Sequence, residues 1–243
     1  MSRQCISFYH VYRVHVIMSK TKHSNLASTN SSDVRFSVSA KFLGLNLDED
    51  LKWNSHITSL VKKLNSSIFA LRSLSGFSSE GTLKLAYHGL FESSLRYGIE
   101  FWGFCSLTNF NRLFVLQKRA LRIVWGLGPT DSCRERFRQD GILTLPCLLM
   151  YHSLIFVFKN QHLFQTNEHS YLTRNRNQIV PDKFRSNAIK NSIFFFGPKF
   201  LNSLPANVKN ITILAIFKKR VMRYLVENAF YSIKEASDIL YLQ

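Results

Sequence analysis

Acidic residues are scarce in this chain: 15 Asp and Glu stand against 32 Lys and Arg over 243 residues, a formal net charge of +17. That imbalance points to a polyanionic partner, nucleic acid ahead of a membrane surface. Cysteine is scarce too. Cys5, Cys105, Cys133 and Cys147 include no C-x-x-C pair, and neither His10/His15 nor His162/His169 has a cysteine pair beside it. Zinc sites gather several ligands, usually at short spacings, so no metal site is expected and the thiols read as free ones in a reducing compartment. Long apolar runs are missing. The longest candidate, Cys147–Phe158, is broken by His152 and Ser153. It falls short of the roughly 20 residues of a membrane span and reads as a buried core helix, so no membrane partner is expected. The first 18 residues carry Arg3 and Arg13 and lack the apolar region of a signal peptide, so secretion is not expected. No Walker loop, Gly-rich phosphate loop or Ser/His/Asp set occurs either.

What is present is apolar patterning. Hydrophobic residues make up 46% of the chain, with 21 Phe, enough for a sizeable core. Val34, Phe36 and Val38 alternate with polar residues, and Leu43, Leu45 and Leu47 do the same, which predicts a hairpin turning at Ser39–Lys41 and closed by Asp48-Glu49-Asp50. Helical spacing follows. Ile57, Leu60, Val61, Leu64, Ile68 and Leu71 form one stripe, capped by Asn54 or Ser55 and stopped by Gly76. Ser79-Glu80 opens a second helix, with Leu83, Ala86, Tyr87, Leu90 and Phe91 on one side, running toward Tyr97 and ended or bent by Gly98. A third spans about Asn109–Trp125 before Gly126, Gly128 and Pro129. Short and long helices are expected at Ser132–Gln139 and from Pro146 to about Asn160. Residues 161–192 read as a long polar loop. Phe194–Phe196, Gly197 and Pro198 then lead into Lys199–Leu204. A last helix within 211–238 is expected to hold Ile216, Phe217, Val221, Tyr224 and Leu225 inside and Lys218, Lys219, Arg220 and Arg223 mostly outside.

The third helix divides by arithmetic. At about 100° per residue from Arg112, Leu113, Leu116, Ala120 and Ile123 fall within about 20–100°, while Lys118, Arg119 and Arg122 fall within about 240–340°. One face is apolar and the other basic, with Val115 the apolar residue in the basic arc. Such a stripe is either a solvated surface or a ladder that tracks phosphates. Four cations with no acid favour the ladder, because a surface serving solubility alone mixes signs.

Several motifs carry a resemblance. Lys41-Phe42-Leu43-Gly44-Leu45 followed by Asp48, Leu51, Trp53 and His56-Ile57 is similar to K-Y-L-G-V…D…L-x-W-x-x-H-I. Leu95-Arg96-Tyr97-Gly98-Ile99-Glu100-Phe101-Trp102-Gly103 is similar to L-x-Y-G-I-x-x-W-G, and Leu116-Gln117-Lys118-Arg119-Ala120-Leu121-Arg122-Ile123 to L-Q-K-R-A-L-R-I. Downstream, Ile142-Leu143-Thr144-Leu145, Gly197-Pro198 and Asn202-Ser203-Leu204-Pro205 continue the same order. Taken in sequence, these blocks resemble the reverse transcriptase of LINE-type, jockey-like non-LTR retrotransposons over about residues 40–240. Upstream, Ser19-Lys20-Thr21-Lys22 is compared with the family's N-x-x-K-T-K, although Ile17 stands where that pattern has Asn.

The resemblance implies a mainly α fold: a short β-hairpin as palm remnant, a three-helix thumb-like bundle and a helical C-terminal region. It implies a partial palm over 1–50, the thumb-like bundle over 51–130 and the C-terminal region over 131–243. It makes Arg112, Lys118, Arg119 and Arg122 the expected phosphate contacts, with Lys62, Lys63 and Arg96 beside them. Phe42, Leu43 and Gly44 become a primer-grip-like hairpin, and Lys20 a palm lysine aiding pyrophosphate departure. Gly44 is expected either to let a nucleic-acid backbone approach or to be a bulge. The parent enzyme uses Mg²⁺ on paired carboxylates, including a Tyr-x-Asp-Asp hairpin, and this sequence has no Asp-Asp pair. The function implied is an RNA-directed DNA polymerase piece that retains grip on an RNA template and DNA primer without catalysis, in nucleus or cytoplasm, with palm and fingers as structural partners. The alternative is a stand-alone basic helical nucleic-acid-binding or interaction protein, or a transposon remnant without a role.

Overall fold

The computed structural model of this chain describes residues 39–48, 50–166, 179–180 and 191–240. Val34, Phe36 and Val38, Lys20 and Glu49 lie outside the described residues, as does most of the 161–192 segment. The chain divides into two units, residues 1–56 and 57–243.

In the first unit, β1 (Ser39–Phe42) pairs antiparallel with β2 (Leu45–Asp48), Phe42 opposite Leu45. The turn is Leu43-Gly44, four residues later than the alternation predicts. Both residues have positive φ, 46° and 78°, the pattern of the two-residue turn whose twist matches that of the flanking strands. Leu45 and Leu47 are buried, whereas Leu43 is 42% exposed, so it belongs to the turn and not to the inner face. Gly44 is accounted for by that turn, without a bulge.

The strand end is tied to the start of α1 (Asn54–Ser75). Both Asp48 carboxylate oxygens accept from the Ser55 backbone N–H at 3.3 Å, placing negative charge at a helix N-terminus. Two sharp bends, Leu51 (φ 55°) and Trp53 (φ 65°), bring the chain round, and both side chains are buried. The Asn46 N–H donates to His56 Nδ1 at 3.5 Å. Burial pushes His56 down to about 4, against the opposing pull of nearby Asp48, so the ring is neutral at neutral pH.

The second unit is helical. It contains the rest of α1, α2 (Glu80–Ala86), a π-helical turn (Tyr87–Glu92), α3 (Ser93–Arg96), α4 (Ile99–Trp102), α5 (Leu107–Trp125), α6 (Arg134–Gln139) and α7 (Leu145–Lys159). A short 3₁₀ turn (Gln161–Leu163) follows, then β3 (Gln165–Thr166), β4 (Ile179–Val180), α8 (Ile193–Asn202), α9 (Ala206–Lys209), α10 (Leu214–Asn228) and α11 (Ile233–Leu240). The mainly α fold with a short hairpin is therefore what the chain adopts.

Local signals explain most boundaries. Ser79 accepts from the Thr82 N–H at the start of α2, Gly98 and Gly126 adopt left-handed φ after α3 and α5, and all six residues of the α1 stripe are buried. The π-helical turn is not encoded in the periodicity. It stacks Tyr87 on Phe91 at 5.4 Å, and the Leu90 carbonyl accepts from both Ser67 Oγ and Ser94 Oγ at 3.1 Å. Side-chain hydroxyls thus satisfy a carbonyl where the helical ladder is widened.

The core is organised round α7, buried over nearly its whole circumference as the Cys147–Phe158 run predicts. It packs against α4, α5, α8 and α10. Two glycines allow the closest approaches: a Cβ on Gly103 would lie 2.5 Å from Leu149 Cδ1, and one on Gly197 would lie 2.6 Å from Val157 Cγ2. The 161–192 segment is not wholly irregular, since Gln165 pairs with Val180 and Thr166 with Ile179. Ile216 is 46% exposed, because the inward stripe of α10 is Phe217, Val221 and Leu225, and residue 216 sits about 100° off it.

Candidate nucleic-acid interface

The most one-sided cation face belongs to α5. Ser106 starts it by accepting from the Asn109 N–H, and Gly126 ends it. Phe110, Leu113, Phe114, Leu116, Gln117, Ala120, Leu121, Val124 and Trp125 are buried. The buried arc is wider than predicted and centred nearer Gln117, which leaves Ile123 only half-buried. Gln117 itself is fully buried, its Nε2 donating to Tyr87 Oη at 3.1 Å and to the Leu143 carbonyl at 2.9 Å. It is a polar tie in the core, which a helical wheel alone cannot distinguish from a surface glutamine.

The opposite arc is basic, and its four cations differ in what they touch. Arg112 and Arg119 are exposed and, among the described residues, meet no carboxylate; they are two turns apart, about 10 Å along the axis. Val115, 55% exposed, lies between them. Lys118 is half-buried, its ammonium 4.7 Å from the Phe114 ring centroid and 5.5 Å from that of Tyr231. Arg122 is engaged through Nε and Nη2 with the Asp131 carbonyl, at 3.1 and 2.8 Å, and so pins the loop leading to α6. Lys62 and Lys63 are exposed on α1. Arg96 donates to Glu92 at 2.7 Å, with His88 on the other oxygen of the same carboxylate. Phe42, Leu43 and Gly44 form the tip of the hairpin in the other unit.

The positive face follows from where the carboxylates go. Glu80 and Asp140 both take Lys84, Glu80 also takes Arg136, Glu135 takes Arg138 and Glu235 takes Arg134. Asp140 further accepts from Trp125 Nε1 at 2.5 Å. Burial pulls Asp140 up, but the Lys84 and Trp125 hydrogen bonds outweigh it and hold the carboxyl below its ordinary value. Glu80, Asp140 and Glu235 therefore fasten helices together, while the exposed Arg112 and Arg119 of α5 and Lys219, Arg220 and Arg223 of α10 form no ion pair among the described residues. Sequence reading placed Lys219, Arg220 and Arg223 on the outside of α10 without assigning them to a site. The available signal was three cations opposite the Phe217, Val221 and Leu225 stripe.

Among the described residues, no group of three or more His, Cys, Asp or Glu side chains is placed to hold a metal ion. Asp48 is turned to the Ser55 amide and Asp50 pairs with Lys52 at 2.7 Å, so these two do not fit a paired-carboxylate magnesium site. Cys105, Cys133 and Cys147 are free thiols; burial pushes Cys105 up to about 12 and Cys147 up to about 11. No helix of the described residues is long and apolar enough to cross a membrane.

The chain is thus mainly helical and strongly basic, with a one-sided cation face on α5. No family model matches it, and no solved structure matches it. A stretch of 88 residues, 35% of the chain, is 33% identical to a probable RNA-directed DNA polymerase from transposon BS of Drosophila melanogaster. The match spans 10% of that protein's length. Part of this chain is therefore related to a transposon reverse transcriptase.

Proposed function

We propose that this chain corresponds to the part of a LINE-type, jockey-like non-LTR retrotransposon reverse transcriptase that follows the catalytic palm, and that it grips nucleic acid through phosphates. The observation that carries the reading is the solvent face of α5, where Arg112 and Arg119 lie exposed and uncompensated. The partial identity to a transposon polymerase supports the nucleic-acid partner. On this reading α1 to α5 act as the thumb of the parent enzyme and hold an RNA template paired to a DNA primer. The hairpin tip at Phe42, Leu43 and Gly44 supports the primer end. Palm and fingers supply the remaining structure and the Mg²⁺-dependent chemistry, and no polymerase step is assigned to residues of this chain.

Within the site the cations divide. Arg112 and Arg119 make phosphate contacts directly, and the exposed Lys62 and Lys63 of α1 are further expected contacts. Lys118 and Arg122 add field strength while holding Tyr231 and the Asp131 loop. The test is fluorescence anisotropy with a blunt DNA–RNA hybrid and the R112A/R119A double variant. A clear loss of affinity at about 50 mM salt, with an unchanged circular dichroism spectrum, is expected. Equal binding by wild type and variant would overturn the reading.

A further inference from the structure

A second cation face lies on α10. Taking Lys219 as zero, Arg223, Ile216 and Arg220 fall within an arc of about 100°. Lys219, Arg220 and Arg223 are exposed, and none meets a carboxylate among the described residues. Ile216 on the same arc and Ile213 just before the helix are 46% and 58% exposed. Glu227, about one turn beyond Arg223, is the acid on this side, so three cations face one carboxylate.

The helix is firmly held from behind. Phe217, Val221 and Leu225 are fully buried, and Phe217 stacks on Phe158 at 4.4 Å between centroids. Arg138 caps its C-terminal end, donating from Nε to the Glu227 carbonyl at 2.9 Å and from Nη2 to the Asn228 carbonyl at 3.4 Å. The same end lies beside the basic face of α5, because Tyr231, three residues past the helix, has the Lys118 ammonium over its ring. The Arg134 guanidinium lies over that ring too, at 4.3 Å, and is itself fixed by both oxygens of Glu235.

The geometry points to α10 as a binding surface for a single strand of nucleic acid, next to the duplex grip of α5. This rests on the nucleic-acid reading given above. Lys219 and Arg223 stand one turn apart, about 6 Å along the axis, close to the step between consecutive phosphates of one strand. A duplex shows phosphates and sugars outward and would leave Ile213 and Ile216 in water. A single strand also offers unpaired base faces, which cover apolar side chains. An anionic membrane fits less well, since the broad apolar face that an interfacial helix inserts is here consumed by the core.

The test uses the whole chain with three nucleic-acid probes, namely a blunt DNA–RNA hybrid, the same hybrid with a single-stranded RNA extension and oligouridylate alone, and with phosphatidylserine vesicles as a fourth probe. For oligouridylate, the K219A/R220A/R223A variant should lower the log–log salt slope by about 2, three phosphates at about 0.7 each. It should also abolish the affinity gained from the extension while binding the blunt hybrid as wild type does. Arg223→Lys should keep the slope, and each single alanine should lower it by about 0.7, which covers the case in which the triple variant fails to fold. An unchanged slope in a folded variant overturns the proposal, as does equal loss on all three nucleic-acid probes. Loss of binding to phosphatidylserine vesicles with oligouridylate binding intact overturns it in favour of a membrane. R112A/R119A reads the α5 grip separately: unchanged blunt-hybrid binding there counts against that grip, while the oligouridylate arm still judges α10.

Discussion

Replacing Asp140 by Ala removes one carboxylate that serves three helices. Asp140 lies just after α6; its Oδ1 accepts from Lys84 of α2 at 2.9 Å, and its Oδ2 accepts from the Trp125 indole at the end of α5. The Asp140 side chain is only 12% exposed, but Lys84 is 30% exposed, so solvent screens the Lys84 bond more than the Trp125 bond and most of the loss comes from the latter. A hydrogen bond involving a charged group contributes about 1.5–3 kcal/mol, and an indole N–H left buried without a partner costs about 1–3 kcal/mol. Lys84 keeps Glu80, which softens the loss on that side. The net expectation is about 2–4 kcal/mol, or about 5–15 °C in Tm for a chain of this size. Asp140→Asn keeps an acceptor for Trp125 and should lose about half as much. Removing Asp50, whose pair with Lys52 is exposed, should leave stability nearly unchanged. The assay is urea unfolding followed by tryptophan fluorescence. Because the native carboxyl is held below its unfolded value, its contribution is present above about pH 4 and fades as the pH falls through the native value. If Asp140→Ala shifts stability by less than about 0.5 kcal/mol, the view that acids act here as internal fasteners is wrong.

Three further outcomes follow from the packing and the buried histidines. Gly103→Ala, whose Cβ would meet the Ile99 carbonyl at 2.4 Å, and Gly197→Ala, against Val157 at 2.6 Å, should each cost about 1–3 kcal/mol or more in thermal unfolding. Wild-type stability for both would mean α7 is not tightly crossed. Phe217→Ala, removing a fully buried ring, should cost about 3–5 kcal/mol, and a smaller loss in urea titration would argue against the α7–α10 stack. His56 and His152 are each pushed down to about 4, chiefly by burial, with Arg96 adding to the effect on His152. The unfolded chain therefore binds more protons between pH 6.5 and 4, and stability should fall as the pH drops through that window. Imidazole NMR shifts that titrate near 6.5 in the folded protein would contradict this.

Features decided by near neighbours were legible in the sequence. The α1 stripe, the Ser79 cap and the Gly98 and Gly126 stops each need only residues within a turn or two. The two faces of α5 were legible for the same reason, since a helical wheel needs nothing from elsewhere. The hairpin register was not, because alternation runs through Leu43 as readily as past it, and only the turn's left-handed backbone settles which leucines point inward. Nor was the π-helical turn, which depends on Ser67 reaching the Leu90 carbonyl from another helix. The engagement of Lys118 with Tyr231 and the burial of Gln117 against Tyr87 and Leu143 join distant segments, so no local pattern carries them.

The most direct measurement of the central claim is the salt dependence of binding to a blunt DNA–RNA hybrid for wild type, R112A and R119A. If these exposed arginines neutralise phosphates, each substitution lowers the log–log slope by about 0.9, and the two add. A wild type that does not bind at low salt, or a slope that neither substitution moves, would contradict the account.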